Sequence, residues 1–66
     1  MSEKQEKMSK LKVMRLLRKL KLRELAALCG VSISSVGDLE ATGIRTVRIA
    51  KRYAAVLDCD WKDLLD

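Results

Sequence analysis

The chain has 66 residues and a formal net charge of +5, with three glycines, no proline and no histidine. A chain of this length forms at most one domain with a small core. It leaves little room for a substrate pocket and carries no paired catalytic groups in a plausible cleft, so we expect no enzyme activity. Valine, isoleucine and threonine never alternate as they do in strands, which predicts an all-α domain.

The two cysteines, Cys29 and Cys59, lie far apart in the sequence, and too few further ligands accompany them to hold a metal ion. We therefore expect no metal and no other cofactor. A disulfide is possible because the cysteine number is even, but reduced thiols in a cytoplasmic protein are the favoured interpretation. No apolar run approaches the roughly 20 residues of a membrane span, and the N-terminus lacks a signal-peptide core. Neither a membrane nor a small-molecule substrate is an expected partner.

Basic residues are concentrated in two segments of the chain. Residues 10–23 contain seven basic side chains and no acidic one, and residues 45–52 add four more. From residue 58 onward, the chain contains four aspartates and a single lysine. This distribution fits a basic face for a polyanion such as nucleic acid. Solvated helix surfaces on an ordinary basic domain explain the charge run equally well.

Residues 1–8 are polar and of mixed charge, which predicts a flexible tail before a domain over residues 9–66. Ser9 can cap a first helix over about Lys10 to Lys19. Its apolar spacing predicts a buried stripe of Val13, Leu16, Leu17 and Leu20, widened by Leu11 and Met14. The opposite, basic side of this helix holds Lys12, Arg15 and Lys19.

Residues 24–40 look like two short helices joined by a tight turn. Apolar residues at helical spacing predict a second helix over about Leu22 to Cys29, and Gly30 suits the positive φ that ends it. Ser32 is a good N-cap for a third helix from Ile33 to about Glu40 or Ala41. Such an arrangement is typical of a helix-turn-helix, whose second helix is presented to a DNA major groove.

Gly43 marks the end of the third helix, and Thr46 can cap a fourth helix over about Val47 to Leu57. Its predicted buried stripe consists of Val47, Ala50, Ala54 and Leu57, flanked by Tyr53. Asp60 can cap a fifth short helix over Trp61 to Leu65. The residues of that helix expected to close the core are Trp61, Leu64 and Leu65.

The order and spacing of these elements resemble the Cro and lambdoid-phage-repressor family of XRE-type helix-turn-helix proteins. The residues that carry the resemblance are Glu24-Leu25-Ala26, Gly30-Val31-Ser32, and Val36, Leu39 and Glu40. The ending that matches the family consists of Ala54, Leu57, Cys59, Asp60 and Leu64. The resemblance implies a compact five-helix fold with the helix-turn-helix at helices two and three.

The resemblance also implies roles for individual residues. Bases would be contacted from the third helix by Ile33, Ser34, Ser35 and Asp38. Phosphates would be contacted from its two flanks by Lys21, Arg23, Arg45, Thr46 and Arg48. Arg15 and Glu40 match a structural ion pair of related repressors; the alternative is two separate surface charges.

The chain departs from the family at the start of helix two, where Lys21 and Leu22 replace the usual Ser or Thr followed by Gln. Helix three has no Arg, Lys, Asn or Gln, the residues that make bidentate base contacts. Gly37 lowers intrinsic helix stability by about 1 kcal/mol relative to alanine. These departures predict modest direct readout of bases.

Two functions follow from these observations. The first is a Cro-like repressor that binds a palindromic operator in double-stranded DNA as a weak homodimer, associated with the nucleoid when bound. Its dimer interface is expected at Trp61 and Leu65. The second is a protein-interaction module on the same fold, such as an antitoxin, an anti-repressor or a regulator subunit.

Overall fold

The computed structural model describes residues 8–66, so the expected tail lies outside the described residues except for Met8. Four α-helices and one 3-10 turn follow in chain order: α1 (Lys10–Leu17), α2 (Leu22–Cys29), α3 (Ile33–Thr42), α4 (Val47–Leu57) and the 3-10 turn (Trp61–Asp63). The all-α prediction is confirmed for this part of the chain. The expected fifth helix, from Trp61 to Leu65, is only a 3-10 turn, because Leu65 instead forms a parallel backbone bridge with Ile44.

The residues predicted to cap the helices act as caps in the structure. The side chains of Ser9, Ser32 and Thr46 each accept a hydrogen bond from the backbone N–H three residues later. Asp60 caps the 3-10 turn by accepting from the N–H of Lys62. Gly30 ends α2 in the left-handed region, with φ +69°. Since capping depends on neighbouring residues, these boundaries were readable from short segments of sequence.

The first helix ends at Leu17, two residues before the predicted end. Lys19 adopts a positive φ of +58°, which no continuing α-helix permits. The following N–H, that of Leu20, donates to the carbonyl oxygen of Arg15 at 3.1 Å. The chain thus turns sharply into α2. In contrast to α1, α3 is longer than predicted and ends at Thr42.

The predicted buried stripe of α1 is wrong for Val13, Leu16 and Leu17. Leu11 is fully buried and Arg15 is 9% exposed, whereas Val13, Leu16 and Leu17 are 40%, 48% and 65% exposed. Two side chains of the expected stripe, Met14 and Leu20, are half-buried against the core. The buried face of α1 therefore includes Leu11 and Arg15, and Arg15 uses it to reach partners on other elements.

The core is formed by side chains from all four helices, the α3–α4 connection and the residues after the 3-10 turn. Its fully buried larger side chains are Leu11, Leu25, Val36, Ile44, Leu57 and Leu64. On α4, Ala50, Tyr53 and Ala54 face this core, but Val47 at the start of the helix is exposed, against prediction. Leu64 closes the core as expected, while Trp61 and Leu65 are only half-buried at its edge.

Asp66 fastens the last residues of the chain to two other segments. Its Oδ1 accepts from the N–H of Lys10 at 3.2 Å, and its Oδ2 accepts from the N–H of Ile44 at 3.1 Å. The N–H of Asp66 donates to the carbonyl oxygen of Ile44 at 2.9 Å. The start of α1, the α3–α4 connection and residues 65–66 therefore form one hydrogen-bonded junction.

Both cysteines are free thiols in the structure. Burial raises the pKa of the Cys29 thiol, partly opposed by the nearby charge of Arg52. Burial also raises the pKa of the Cys59 thiol, and neighbouring aspartates add to the effect. Because the reactive form of a thiol is the thiolate, neither environment favours nucleophilic chemistry.

The junction at Asp66 depends on Gly43. Its φ is +87°, and a Cβ added there would lie 2.7 Å from Asp66 Oδ2. We predict that Gly43→Ala lowers the free energy of unfolding by at least about 1 kcal/mol, because both the backbone and the contact become strained. Urea denaturation followed by circular dichroism measures the change.

Gly37→Ala is the matched control for this prediction. Gly37 lies inside α3, and an added Cβ would meet only Leu22 Cδ2, at 4.0 Å. Alanine there should raise the free energy of unfolding by about 0.5–1 kcal/mol through its better helix propensity. Equal effects of the two substitutions would contradict the role assigned to Gly43.

Candidate nucleic-acid interface

The turn between α2 and α3 is held by backbone hydrogen bonds. The N–H of Val31 donates to the carbonyl oxygen of Ala26 at 3.0 Å, and Gly30 supplies the required positive φ. At the other end of α2, the Glu24 carboxylate accepts from the N–H of Lys21 at 2.7 Å. This bond satisfies the Lys21 N–H, as in the second half of a capping box, but no side chain takes the place of the usual Ser or Thr at the N-cap. The bonds of the α2–α3 turn hold α3 at a defined angle to α2.

The predicted base-contacting residues all lie on the exposed side of α3. Ile33, Ser34, Ser35 and Asp38 are exposed, while Val36 is fully buried on the opposite side. The Ser35 hydroxyl lies 2.9 Å from that of Ser32 and is therefore part of the helix cap. Ser34 has no such contact within residues 8–66, so its hydroxyl is open to an external partner.

Basic side chains stand on both elements that flank α3. Lys21 and Arg23 lie at the start of α2, and Arg45 and Arg48 lie around the start of α4; all four are exposed. Among the described residues, none of these four side chains takes part in a hydrogen bond or an ion pair. Thr46, the fifth predicted phosphate contact, uses its hydroxyl to accept from the N–H of Ile49 at 3.4 Å.

Other arginines of the basic segments have structural roles that the sequence did not reveal. Arg18 Nε donates to the carbonyl oxygen of Leu57 at 2.8 Å, and its Nη2 to that of Asp58 at 3.1 Å. Arg52 Nη2 donates to the carbonyl oxygen of Cys29 at 3.4 Å. Each therefore satisfies carbonyls at the C-terminal end of a different helix. A basic residue near the C-terminal end of a helix often bonds the last carbonyl groups of that same helix. Here the carbonyl groups belong to another helix, so the sequence alone does not indicate the contact.

The structure brings Arg15 and Glu40 together. Arg15 Nε donates to Glu40 Oε2 at 2.6 Å, and its Nη2 donates to Oε1 at 3.2 Å. The two side chains are only 11% and 8% exposed, so they are not separate surface charges. Arg15 Nη1 also donates to the carbonyl oxygen of Leu20 at 2.8 Å. This cluster links α1, the α1–α2 turn and α3.

A family model described as helix-turn-helix matches residues 11–64, which is most of the chain. The chain belongs to the XRE-type helix-turn-helix family. This XRE-type family, which includes the Cro type, is one of DNA-binding regulators. Among curated proteins and solved structures, none matched the chain.

Within residues 8–66 of this XRE-type protein, every helix is too short or too polar to cross a membrane. The residues expected at a dimer interface, Trp61 and Leu65, are half-buried near the C-terminal end. The Nζ atoms of Lys51 and Lys62 lie 5.8 and 5.9 Å from the centroid of the Trp61 ring. The indole is therefore partly covered by its own chain.

The Arg15–Glu40 contact yields a stability prediction. Glu40→Gln keeps the shape of the side chain but removes its charge and leaves the Arg15 charge without a counterion. We expect the free energy of unfolding to fall by about 1–3 kcal/mol, measured by urea denaturation.

Glu24→Gln provides the control, since Glu24 is exposed and an amide oxygen can still accept from the Lys21 N–H. Its expected cost is under about 1 kcal/mol. If both substitutions lowered the free energy of unfolding by the same amount, the buried Arg15–Glu40 pair would contribute no more to stability than an exposed cap.

Proposed function

We propose that this XRE-type protein is a Cro-like repressor that places α3 in the major groove of double-stranded DNA. The observation that supports this most is the arrangement around α3. Its exposed side is bordered on both flanking elements by exposed cations that have no partner among the described residues. A helix that enters a groove needs such side chains next to it, because the phosphate backbones rise on both sides.

The phosphate contacts are assigned to Lys21, Arg23, Arg45 and Arg48, with the N-cap Thr46 beside the last two. Each neutralised phosphate releases counterions, so binding weakens steeply as salt rises. Arg18 and Arg52 do not belong to this group, since their guanidinium groups are bonded to carbonyls of their own chain. In this proposal, only some of the basic side chains contact DNA.

Base readout from α3 is modest in this proposal. Ile33 can contact a thymine methyl group, Ser34 and Ser35 can donate to or accept from base edges, and Asp38 can accept from cytosine N4. The free hydroxyl of Ser34 makes it the most adaptable of the four. Sequence-dependent DNA shape adds to the specificity of such a neutral to acidic surface.

A palindromic operator requires two copies related by a two-fold axis, with half-sites about 34 Å apart. We place the dimer contact at the C-terminal end, around Trp61 and Leu65. Both residues are half-buried in the single chain, so they retain apolar surface that a second copy can cover. A small contact of this kind predicts a weak homodimer without DNA.

The composition of α3 favours a second candidate, a protein-interaction module on the same fold. Its exposed side offers hydroxyl groups, one carboxylate and Ile33, but none of the side chains that make bidentate base contacts. In that case α3 contacts a protein and DNA binding is weak or absent. Footprinting together with recovery of a stoichiometric protein partner separates the two candidates.

We predict that Arg45→Ala and Arg48→Ala each weaken duplex binding about tenfold, because each removes a charge-assisted phosphate contact. The slope of log affinity against log salt should also fall by about 0.9 per residue. Fluorescence anisotropy on a duplex selected from random sequences measures both quantities.

Lys62→Ala on a single half-site duplex is the matched control, since it removes one exposed positive charge from the 3-10 turn, away from α3 and its flanks, and a half-site needs no contact between copies at Trp61. It should leave affinity nearly unchanged. Repressor-type binding is refuted if the wild-type protein shows no preference for any selected duplex over random DNA at about 150 mM salt. If the Arg45 and Arg48 variants bound the duplex as tightly as the wild-type protein, these residues would not contact DNA.

A further inference from the structure

The outward side of α1 is apolar. Val13, Leu16 and Leu17 are spaced for one face of a helix, and they are the residues of α1 that point away from the core. Leu17 is 65% exposed, more than any other large apolar side chain of the described residues. A contiguous apolar patch of this kind is typical of an interaction surface. We refer to these three residues as the α1 outer face.

The charges around the α1 outer face are positive. Lys12 and Lys19 lie on α1 and just after it, and residues 10–23 contain no acidic side chain. The partner surface must therefore be apolar with acidic neighbours. Two α1 outer faces cannot pair directly with each other without opposing like charges.

Acidic and apolar side chains occur together at the C-terminal end of the chain. Residues 58–66, here called the C-terminal segment, contain four aspartates and one lysine, together with the half-buried Trp61 and Leu65. Of its carboxylates, Asp66 is engaged with Lys10 and Ile44, whereas the exposed Asp63 side chain takes part in no hydrogen bond or ion pair within residues 8–66. Asp63 is therefore available to a cation on another molecule.

The α1 helix and the C-terminal segment are neighbours within one chain. At one end of α1, Arg18 donates to the carbonyl oxygens of Leu57 and Asp58; at the other end, the N–H of Lys10 donates to Asp66. A helix of eight residues is about 12 Å long, so every part of α1 lies close to one of these junctions. Both ends of α1 are thus joined to residues 57–66 by hydrogen bonds.

We propose that the α1 outer face binds the C-terminal segment of a second copy of this chain, and that the contact is reciprocal. Two such contacts, related by a two-fold axis, cover α1 of each copy with Trp61, Leu65 and the acidic side chains of the other. This inference rests on the homodimer of the proposed function and extends its interface from two residues to α1. A standard interface buries ~800 Å² per partner, and a reciprocal arrangement doubles the surface that each copy contributes.

The first test compares Leu17→Glu with Leu28→Glu in the full chain. Leu28 is 59% exposed on α2, outside the surface proposed here, and is the matched apolar control. Sedimentation equilibrium without DNA should show a dimer whose dissociation constant rises about tenfold or more in the Leu17 variant only. Thermal melts should show both variants folded, because neither side chain is in the core.

The second test exchanges charges between the two surfaces. Lys12→Glu with Lys19→Glu in one protein, and Asp63→Lys in another, should each weaken self-association. An equimolar mixture of the two should dimerise again, because the mixed pair places opposite charges at both contacts. An interface that brings the two C-terminal segments together without α1 predicts no such rescue.

The outcomes separate this inference from the proposed function. A wild-type dimer that is unaffected by Leu17→Glu and by the charge exchange would overturn the α1 contact while leaving dimerisation at Trp61 and Leu65 intact. A chain that stays monomeric up to about 1 mM would also overturn it. Binding of the Leu17→Glu monomer to a single half-site, measured by anisotropy, tests the DNA-binding proposal independently. Leu17-dependent binding to anionic vesicles by a monomeric wild-type chain would assign the face to lipid and refute the proposal.

Discussion

The Arg15–Glu40 ion pair is the constraint on which the rest of this small domain depends. Two almost fully covered charges are stable only if each has well-placed partners, and Arg15 meets this demand with three hydrogen bonds to Glu40 and Leu20. The three bonds fix α1, the turn that follows it and the end of α3 relative to one another. The orientation of the helix-turn-helix on its scaffold therefore depends on polar geometry as much as on apolar packing.

The arginines divide into two groups with different physical tasks. Arg15, Arg18 and Arg52 point back into the chain and satisfy carboxylate or carbonyl oxygens, which costs side-chain freedom but removes unsatisfied acceptors. Arg23, Arg45 and Arg48 extend into solvent. Net charge alone overstates how much of the basic character is available to a polyanion.

Local features were predictable from the sequence, and long-range ones were not. The caps at Ser9, Ser32 and Thr46 and the turn at Gly30 depend on a few adjacent residues, so they appear where predicted. The buried side of α1 depends on contacts more than twenty residues away, to Glu40, and apolar periodicity alone selected the wrong face. Exposure of the predicted α3 residues follows from the helix register, but what these side chains contact depends on a second molecule that the sequence does not describe.

The pair of hydroxyls at the start of α3 gives its exposed surface two hydrogen-bonding states. Ser32 Oγ accepts from the N–H of Ser35 whichever hydroxyl supplies the proton between the two oxygens, which are 2.9 Å apart. When Ser32 supplies that proton, Ser35 keeps its own hydrogen and faces outward as a donor. When Ser35 supplies it, the same oxygen faces outward only as an acceptor. One rotation of two protons thus changes the hydrogen-bonding character that the start of α3 shows to its surroundings, with no movement of heavy atoms and no loss of the cap.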